Sequence, residues 1–241
     1  MNWIPKGTLL NTLTVFVGGL LGWLFFKNVG EEYRDIAING LGLVTLGIGL
    51  KMVFGSKNIL VVAAAIALGG MLGLFMGIQN GIEAFADWAK HQVGATNDTS
   101  FVSVLITSSV LFCVGPMTLI GCMQDRLEGK SELLALKSTM DGFAAIFFGV
   151  ASGPAIMVTA LVVLVFQSLL TFCAGALKPV AHDEDQLAEL SAAGGVMLMG
   201  TGFGLLKVLQ LPVANYLPAL VIAPLLVLAF RKFSKPNSEA G

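Results

Sequence analysis

Charge is scarce in this chain. Of its 241 residues, 12% are charged, against roughly 25% in an ordinary soluble domain, which excludes a water-facing surface over most of the molecule. Histidine is scarcer still. The two present, His91 and His182, fall between apolar segments, which excludes a histidine general base or a histidine metal cluster inside them. Cys113, Cys122 and Cys173 are widely separated, with no CxxC spacing, so they read as structural thiols and not as zinc ligands or a redox pair. No P-loop, no dinucleotide-binding glycine motif and no serine nucleophile elbow occurs. Neither nucleotide-driven work nor an enzyme activity is therefore expected, and no cofactor or metal. A net charge of −1 without a basic run removes the electrostatic footprint of a nucleic-acid partner.

What is abundant is apolar surface and glycine. Hydrophobic residues make up 56% of the chain, and there are 29 glycines, which inside a bilayer let helices approach closely. A hydrocarbon core of about 30 Å takes about 20 helical residues. Apolar segments near that length recur at residues 7–27, 36–54, 58–78, 101–123, 136–153, 155–177, 190–208 and 213–231. The expectation is one all-α transmembrane bundle over residues 1–241, with about eight spans and the lipid bilayer as its surroundings. The first apolar run is too long for a signal peptide and lacks a small-residue cleavage site, so it reads as a retained span. Segments five and six touch at Gly153-Pro154, where a tight hairpin and a broken helix both fit.

With eight spans, ten basic residues (Lys6, Lys51, Lys57, Arg126, Lys130, Lys137, Lys178, Arg231, Lys232, Lys235) fall toward the side of the N-terminus. Four (Lys27, Arg34, Lys90, Lys207) fall toward the other. The positive-inside rule then puts both termini in the cytoplasm. Between spans three and four, Gly81–Gln92 carries Ile82, Phe85, Ala86 and Ala89 at helical spacing, as in an interfacial helix anchored by Trp88 or a solvated loop helix. Residues 178–189, with Asp183, Glu184, Asp185 and Glu189, read as a solvated acidic connection, without the spacing of a calcium loop.

Three stretches are alike: Ile38-Asn39-Gly40-Leu41-Gly42, Met140-Asp141-Gly142-Phe143-Ala144 and Ala193-Gly194-Gly195-Val196-Met197. They suggest repeats over 7–78 and 101–177, with a partial third copy over 190–231. Three helices per copy would invert the second copy relative to the first, the arrangement that sets a binding site between transporter halves.

Asp141 is the leading candidate for chemistry. A carboxylate deep in the bilayer costs about 2.5–3.5 kcal/mol on insertion scales, so it should face protein or water, where it would bind a cation or carry a proton. Two simpler roles fit as well: a helix cap near the headgroups, or a charge neutralised by Lys137 one turn earlier. Asn39 holds the equivalent place in the first repeat and would supply an amide, or would cap its own helix. Gly115-Pro116 in span four marks a helix interruption whose freed carbonyls need partners, with Thr118 beside it, and Gln124 and Asp125 closing the segment; a simple proline kink fits too. Asn11, Thr12, Thr14, Gln167, Ser168 and Thr171 are uncharged polar groups at membrane depth. They would line a pathway or, as the stronger expectation, bond between helices.

The run VGPMTLIGCMQDRLEGKSELLALKSTMDGFAAIFFG at Val114–Gly149, with GTLLN at Gly7–Asn11, resembles the bacterial YqgA/YdfK-like family of uncharacterised inner-membrane proteins. The resemblance implies a multi-pass inner-membrane protein and transfers no substrate. Two functions are expected from residues and resemblance together. One is a secondary transporter or ion-conducting protein moving a small cation or a proton-coupled solute through a midplane site. The other is a noncatalytic scaffold or sensor that binds a partner protein, and glycine-rich faces would also allow a homo-oligomer.

Overall fold

The computed structural model describes residues 5–26 and 30–234, with ten helices among them: α1 (Lys6–Phe26), α2 (Glu31–Val53), α3 (Ile59–Met76), α4 (Ile78–Gln92), α5 (Phe101–Cys113), α6 (Pro116–Met123), α7 (Glu132–Phe172), α8 (Ala174–Ala181), α9 (Glu184–Leu205) and α10 (Ala219–Ser234). A π turn at Gln124–Glu128 and a 3-10 turn at Val213–Tyr216 link them. Lys27 and Lys235 lie outside the described residues, as do the side chains of Arg34, Pro116 and Lys232. Among the described residues, five helices are long and apolar enough to cross a membrane, or six if the bent pair α5–α6 is one span. Counted this way the chain falls short of the eight spans expected, for two reasons. Segments five and six are a single 41-residue element, α7, and α9 does not reach the length-and-hydropathy standard.

A straight helix of that length would run about 60 Å at 1.5 Å per residue, twice the hydrocarbon thickness. It is not straight. Ser152 leaves helical geometry (φ −157°, ψ 96°) two residues before Pro154, and the Ser152 hydroxyl accepts the Ala155 N–H at 3.3 Å, as a capping serine does at a new helix start. Packing on α1 shows the reversal. Along the first limb, Gly7 meets Leu134, Gly18 meets Gly142 and Gly22 meets Ile146, so the two run parallel; beyond the break, Ile156 returns to Gly19. The second limb then leads into α8, which packs on α6 and the π turn at the end where the first limb began. At the tip, a Cβ on Gly153 would lie 2.1 Å from Trp23 Cγ; only glycine fits.

A second glycine seam joins α2 to α9, antiparallel: Gly42 lies against Gly202 and Leu206, Gly49 against Gly195 and Met199. α3 packs on α10, where Gly69 meets Ala219. Helices thus pair α1 with α7, α2 with α9 and α3 with α10, and the repeat read from the sequence gains no support from this pairing. α4 is an amphipathic helix; Ala86 and Ala89 are buried while Phe85 and Trp88 are exposed.

Because backbone faces backbone in the α1–α7 seam, Gly22→Leu, whose Cβ would start 2.0 Å from the Ile146 carbonyl oxygen, should cost about 1–3 kcal/mol or prevent folding. Gly40→Ala, with nothing within 4 Å, should be neutral or stabilising. Thermal unfolding of the two variants in detergent, followed by size exclusion, checks this.

Candidate functional site

Lys137 and Asp141 sit on successive turns of the first limb of α7, both buried at 6% and 7% exposure. The Lys137 ammonium donates to Asp141 Oδ2, and Asn11 Nδ2 of α1 donates to the same oxygen at 3.0 Å. Of the expected alternatives for Asp141, the ion pair with Lys137 is the one formed, and the carboxylate is interior instead of a cap at a helix end. Lys137 Nζ also lies 5.9 Å from the centre of the Phe112 ring, at cation–π range. Cys113 completes this wall from the end of α5, and its thiol is close enough to feel both charges.

The interruption expected at Gly115-Pro116 is present. α5 ends at Cys113, Gly115 takes an extended conformation, and α6 starts at Pro116; the two helices bend by 55°. The Thr118 hydroxyl donates to the Phe112 carbonyl at 3.2 Å, so Thr118 satisfies backbone that the break releases. Gln124 opens the π turn, and its carbonyl accepts the Lys130 N–H at 3.2 Å. The Asp125 carboxylate accepts the Gly7 N–H at 3.3 Å and the Ser131 hydroxyl, which ties the start of α1 to the α6–α7 loop. Asn39 is exposed on α2 and lies outside the Asp141 hydrogen-bond set. The physical reason is helix phase: Ile38 and Gly42 face inward, and residue 39 is turned away.

Sequence reasoning missed Glu189. It is 1% exposed and accepts the Ser56 hydroxyl at 2.6 Å and the Lys57 and Asn58 backbone N–H groups at 2.8 and 2.7 Å. The carboxylate thereby pins the loop that leads into α3, whose cap is Asn58, with its side chain accepting the Leu60 N–H at 3.2 Å. Residues 178–189 are therefore not a solvated connection: 174–181 is helix α8, and α9 begins at Glu184. Around this cap, Lys57 pairs with Glu184 at 3.2 Å and Asp185 at 2.9 Å, and Arg231 pairs with Asp183 and Asp185. The Arg231 guanidinium holds the Asp183 carboxyl well below its usual range, and Asp185 is lowered by Arg231 and then Lys57. The signal for Glu189 was its place one turn into a helix, opposite a Ser-Lys-Asn loop, which only the fold reveals.

At the opposite end of α2 and α9 lies a polar cavity of about 730 Å³, bordered by Asp35, Asn97, Asp98, Ser100, Lys207 and Gln210. A smaller one of about 350 Å³ shares Ser103 and Gln210 with it and adds Glu83, Thr107 and Thr201. Asp98 Oδ2 accepts the Ser152 hydroxyl at 2.5 Å, which fixes the tip of the α7 hairpin to the wall of the larger cavity.

The family model described as "Protein of unknown function (DUF554)" matches residues 6–228. This chain belongs to that family. It is 29% identical over 221 residues to "Uncharacterized protein YqgA" of Escherichia coli (strain K12), covering 90% of this chain and 94% of that one. It is 24% identical over 231 residues to "Uncharacterized membrane protein YdfK" of Bacillus subtilis (strain 168), covering 94% and 97%. No solved structure matches. The family and the five or six apolar helices together make the protein a membrane protein.

Glu189→Ala should destabilise the fold by about 2 kcal/mol or more, since it removes three hydrogen bonds to a buried carboxylate; unfolding in detergent against Glu189→Gln checks it. For Asp183 and Asp185, a lowered folded pKa means a contribution present above the ordinary carboxyl value of 3.8 and lost as pH falls through the folded value. The melting temperature should therefore drop below about pH 4 more steeply in the wild type than in Arg231→Gln.

Proposed function

We propose that this protein is a secondary transporter or ion-conducting membrane protein, that Asp141 and Lys137 form its polar centre, and that it moves a small cation or a proton-coupled solute. The observation that carries the reading is a broken helix beside a buried charge pair. α5 and α6 part at Gly115 with a 55° bend, and Lys137 lies against Phe112 on one side of that break. Interrupted helices free carbonyls and aim helix ends at one point, the way secondary transporters form ion and solute sites. Two charges within the bundle also call for a reason beyond stability, because well-packed apolar residues of similar volume are often as stable as a buried ion pair.

Counting both limbs of α7 and α9 as crossings, beside α1, α2, α3, the bent α5–α6 and α10, gives eight. The termini then share a face, and the excess of lysine and arginine there makes it the cytoplasmic face of a bacterial inner membrane. The larger polar cavity opens on the other side. In the described arrangement Lys137 already neutralises Asp141, so a cargo cation must displace the ammonium, or Asp141 must accept a proton and release it.

One observation favours the second reading, a noncatalytic scaffold or sensor that binds a partner protein. The same pair is satisfied inside a tightly packed glycine seam, as a structural ion pair would be. Reconstitution in liposomes separates the two. Under a pH gradient, with monovalent and divalent cations screened in turn, the wild type should exceed empty vesicles and Asp141→Asn should lose at least tenfold of that flux. Wild-type flux equal to empty vesicles for every solute would favour the scaffold; an unchanged Asp141→Asn would remove Asp141 from the site.

A further inference from the structure

Among the described residues, groups near the level of the Asp141 pair keep polar atoms without a protein partner. Asn11 uses its Nδ2 on Asp141, but its Oδ1 is buried and has no hydrogen-bond partner. Thr8, one turn earlier on α1 and 0% exposed, and Thr12 each have a buried hydroxyl in the same state. On the second limb of α7, Gln167 is 0% exposed, and both its Oε1 and its Nε2 lack partners.

The fold brings these groups to one level. The second limb runs antiparallel to α1, with Ile156 beside Gly19. Eleven residues further along the second limb Gln167 comes level with Thr8, eleven residues before Gly19 on α1, since both helices rise about 1.5 Å per residue. The Thr171 hydroxyl donates to the Gln167 carbonyl at 2.7 Å, so it is spent on its own helix one turn further on. Hydroxyls and amide groups that both donate and accept, on a level with an Asn11 already bonded to the cation–carboxylate pair, suit water. They suit a bare metal cation poorly, because the Gln167 NH₂ would have no role and the Lys137 ammonium would repel it. Buried polar groups without protein partners are the usual hosts of ordered water.

We propose that Gln167, Asn11 and Thr8 hold water against the Asp141–Lys137 pair, and that Asp141 exchanges its proton through this water. The proton is then the coupling ion, an inference that rests on the transport reading above. The step balances simply: the Asp141 carboxylate takes a proton from hydronium, leaving water and freeing Lys137 from the pair, and the reverse returns the proton. The ionisable groups facing the site are Lys137 on the same helix, Cys113 from α5, Cys122 from α6 and, beyond Cys122, Asp125.

The test is the Asp141 carboxylic C=O infrared band, assigned by its loss in Asp141→Asn, in the reconstituted protein. In the wild type it should appear on lowering the pH and exchange with D₂O. In Gln167→Met, of similar length but apolar, exchange and proton-driven flux should each slow at least tenfold. The melting temperature, measured on the same samples, shows that slowed exchange is read from folded protein. Thr8→Val should act in the same direction if Gln167→Met does not fold. Wild-type exchange in either folded variant, a lower melting temperature with unchanged flux, or no Asp141 carboxylic band at any pH would overturn the proposal. A band that responds to Gln167→Met while the wild type carries nothing would sustain the water site and sink the transport reading. Flux driven by a metal cation and indifferent to pH would do the opposite.

Discussion

Two opposite charges in the interior of a lipid-embedded bundle govern how the rest of this molecule is assembled. Lys137 and Asp141 are tolerable there only if each is matched, and the matching groups come from three helices: Asn11 on α1, the Phe112 ring on α5, and the pair's own turns of α7. α1 can supply its amide only because glycines let it lie backbone to backbone on α7. The seam and the pair are thus one feature: small residues bring the helices close, and closeness brings Asn11 within reach.

A second carboxylate holds the far side of the bundle by a different route. Glu189 takes no cation; it accepts two backbone N–H groups and a hydroxyl from the α2–α3 loop, while Arg231 and Lys57 gather the exposed acids above it. One buried carboxylate therefore pins a loop and the other joins two helices along their length. The first has both oxygens occupied by that loop, whereas the second retains an oxygen, Oδ1, outside the two bonds that Lys137 and Asn11 both direct to Oδ2. That difference favours Asp141 over Glu189 as the proposed site.

The sequence was a good guide wherever composition alone decides structure. Span length against bilayer thickness located α1, α2, α3 and α10 within a few residues, and the donor lost at Pro116 located the break between α5 and α6. It offered Lys137 as a neutralising partner for Asp141, one of the simpler alternatives to a functional carboxylate, since i and i+4 share a helix face. What it could not supply was pairing between distant segments. The likeness of Asn39 to Asp141 was a likeness of glycine context, and helix phase turns Asn39 outward. Glu189 read as a loop acid because its partners, 131 to 133 residues away, are invisible in one dimension. The hairpin at Ser152-Gly153-Pro154 was legible as a break, but its reversal follows from Trp23 and Gly19 packing on either side of it.

The most direct measurement of the central claim is a double-mutant cycle on the pair, read as unfolding free energy in detergent for Lys137→Met, Asp141→Leu and both together. Each single change strands a buried charge and should cost about 3–5 kcal/mol, while the double, with neither charge left, should be far less affected than the sum, with a coupling of at least ~2 kcal/mol. Effects that add to within about 0.5 kcal/mol would contradict the account, because the two charges would then not be meeting inside the protein at all.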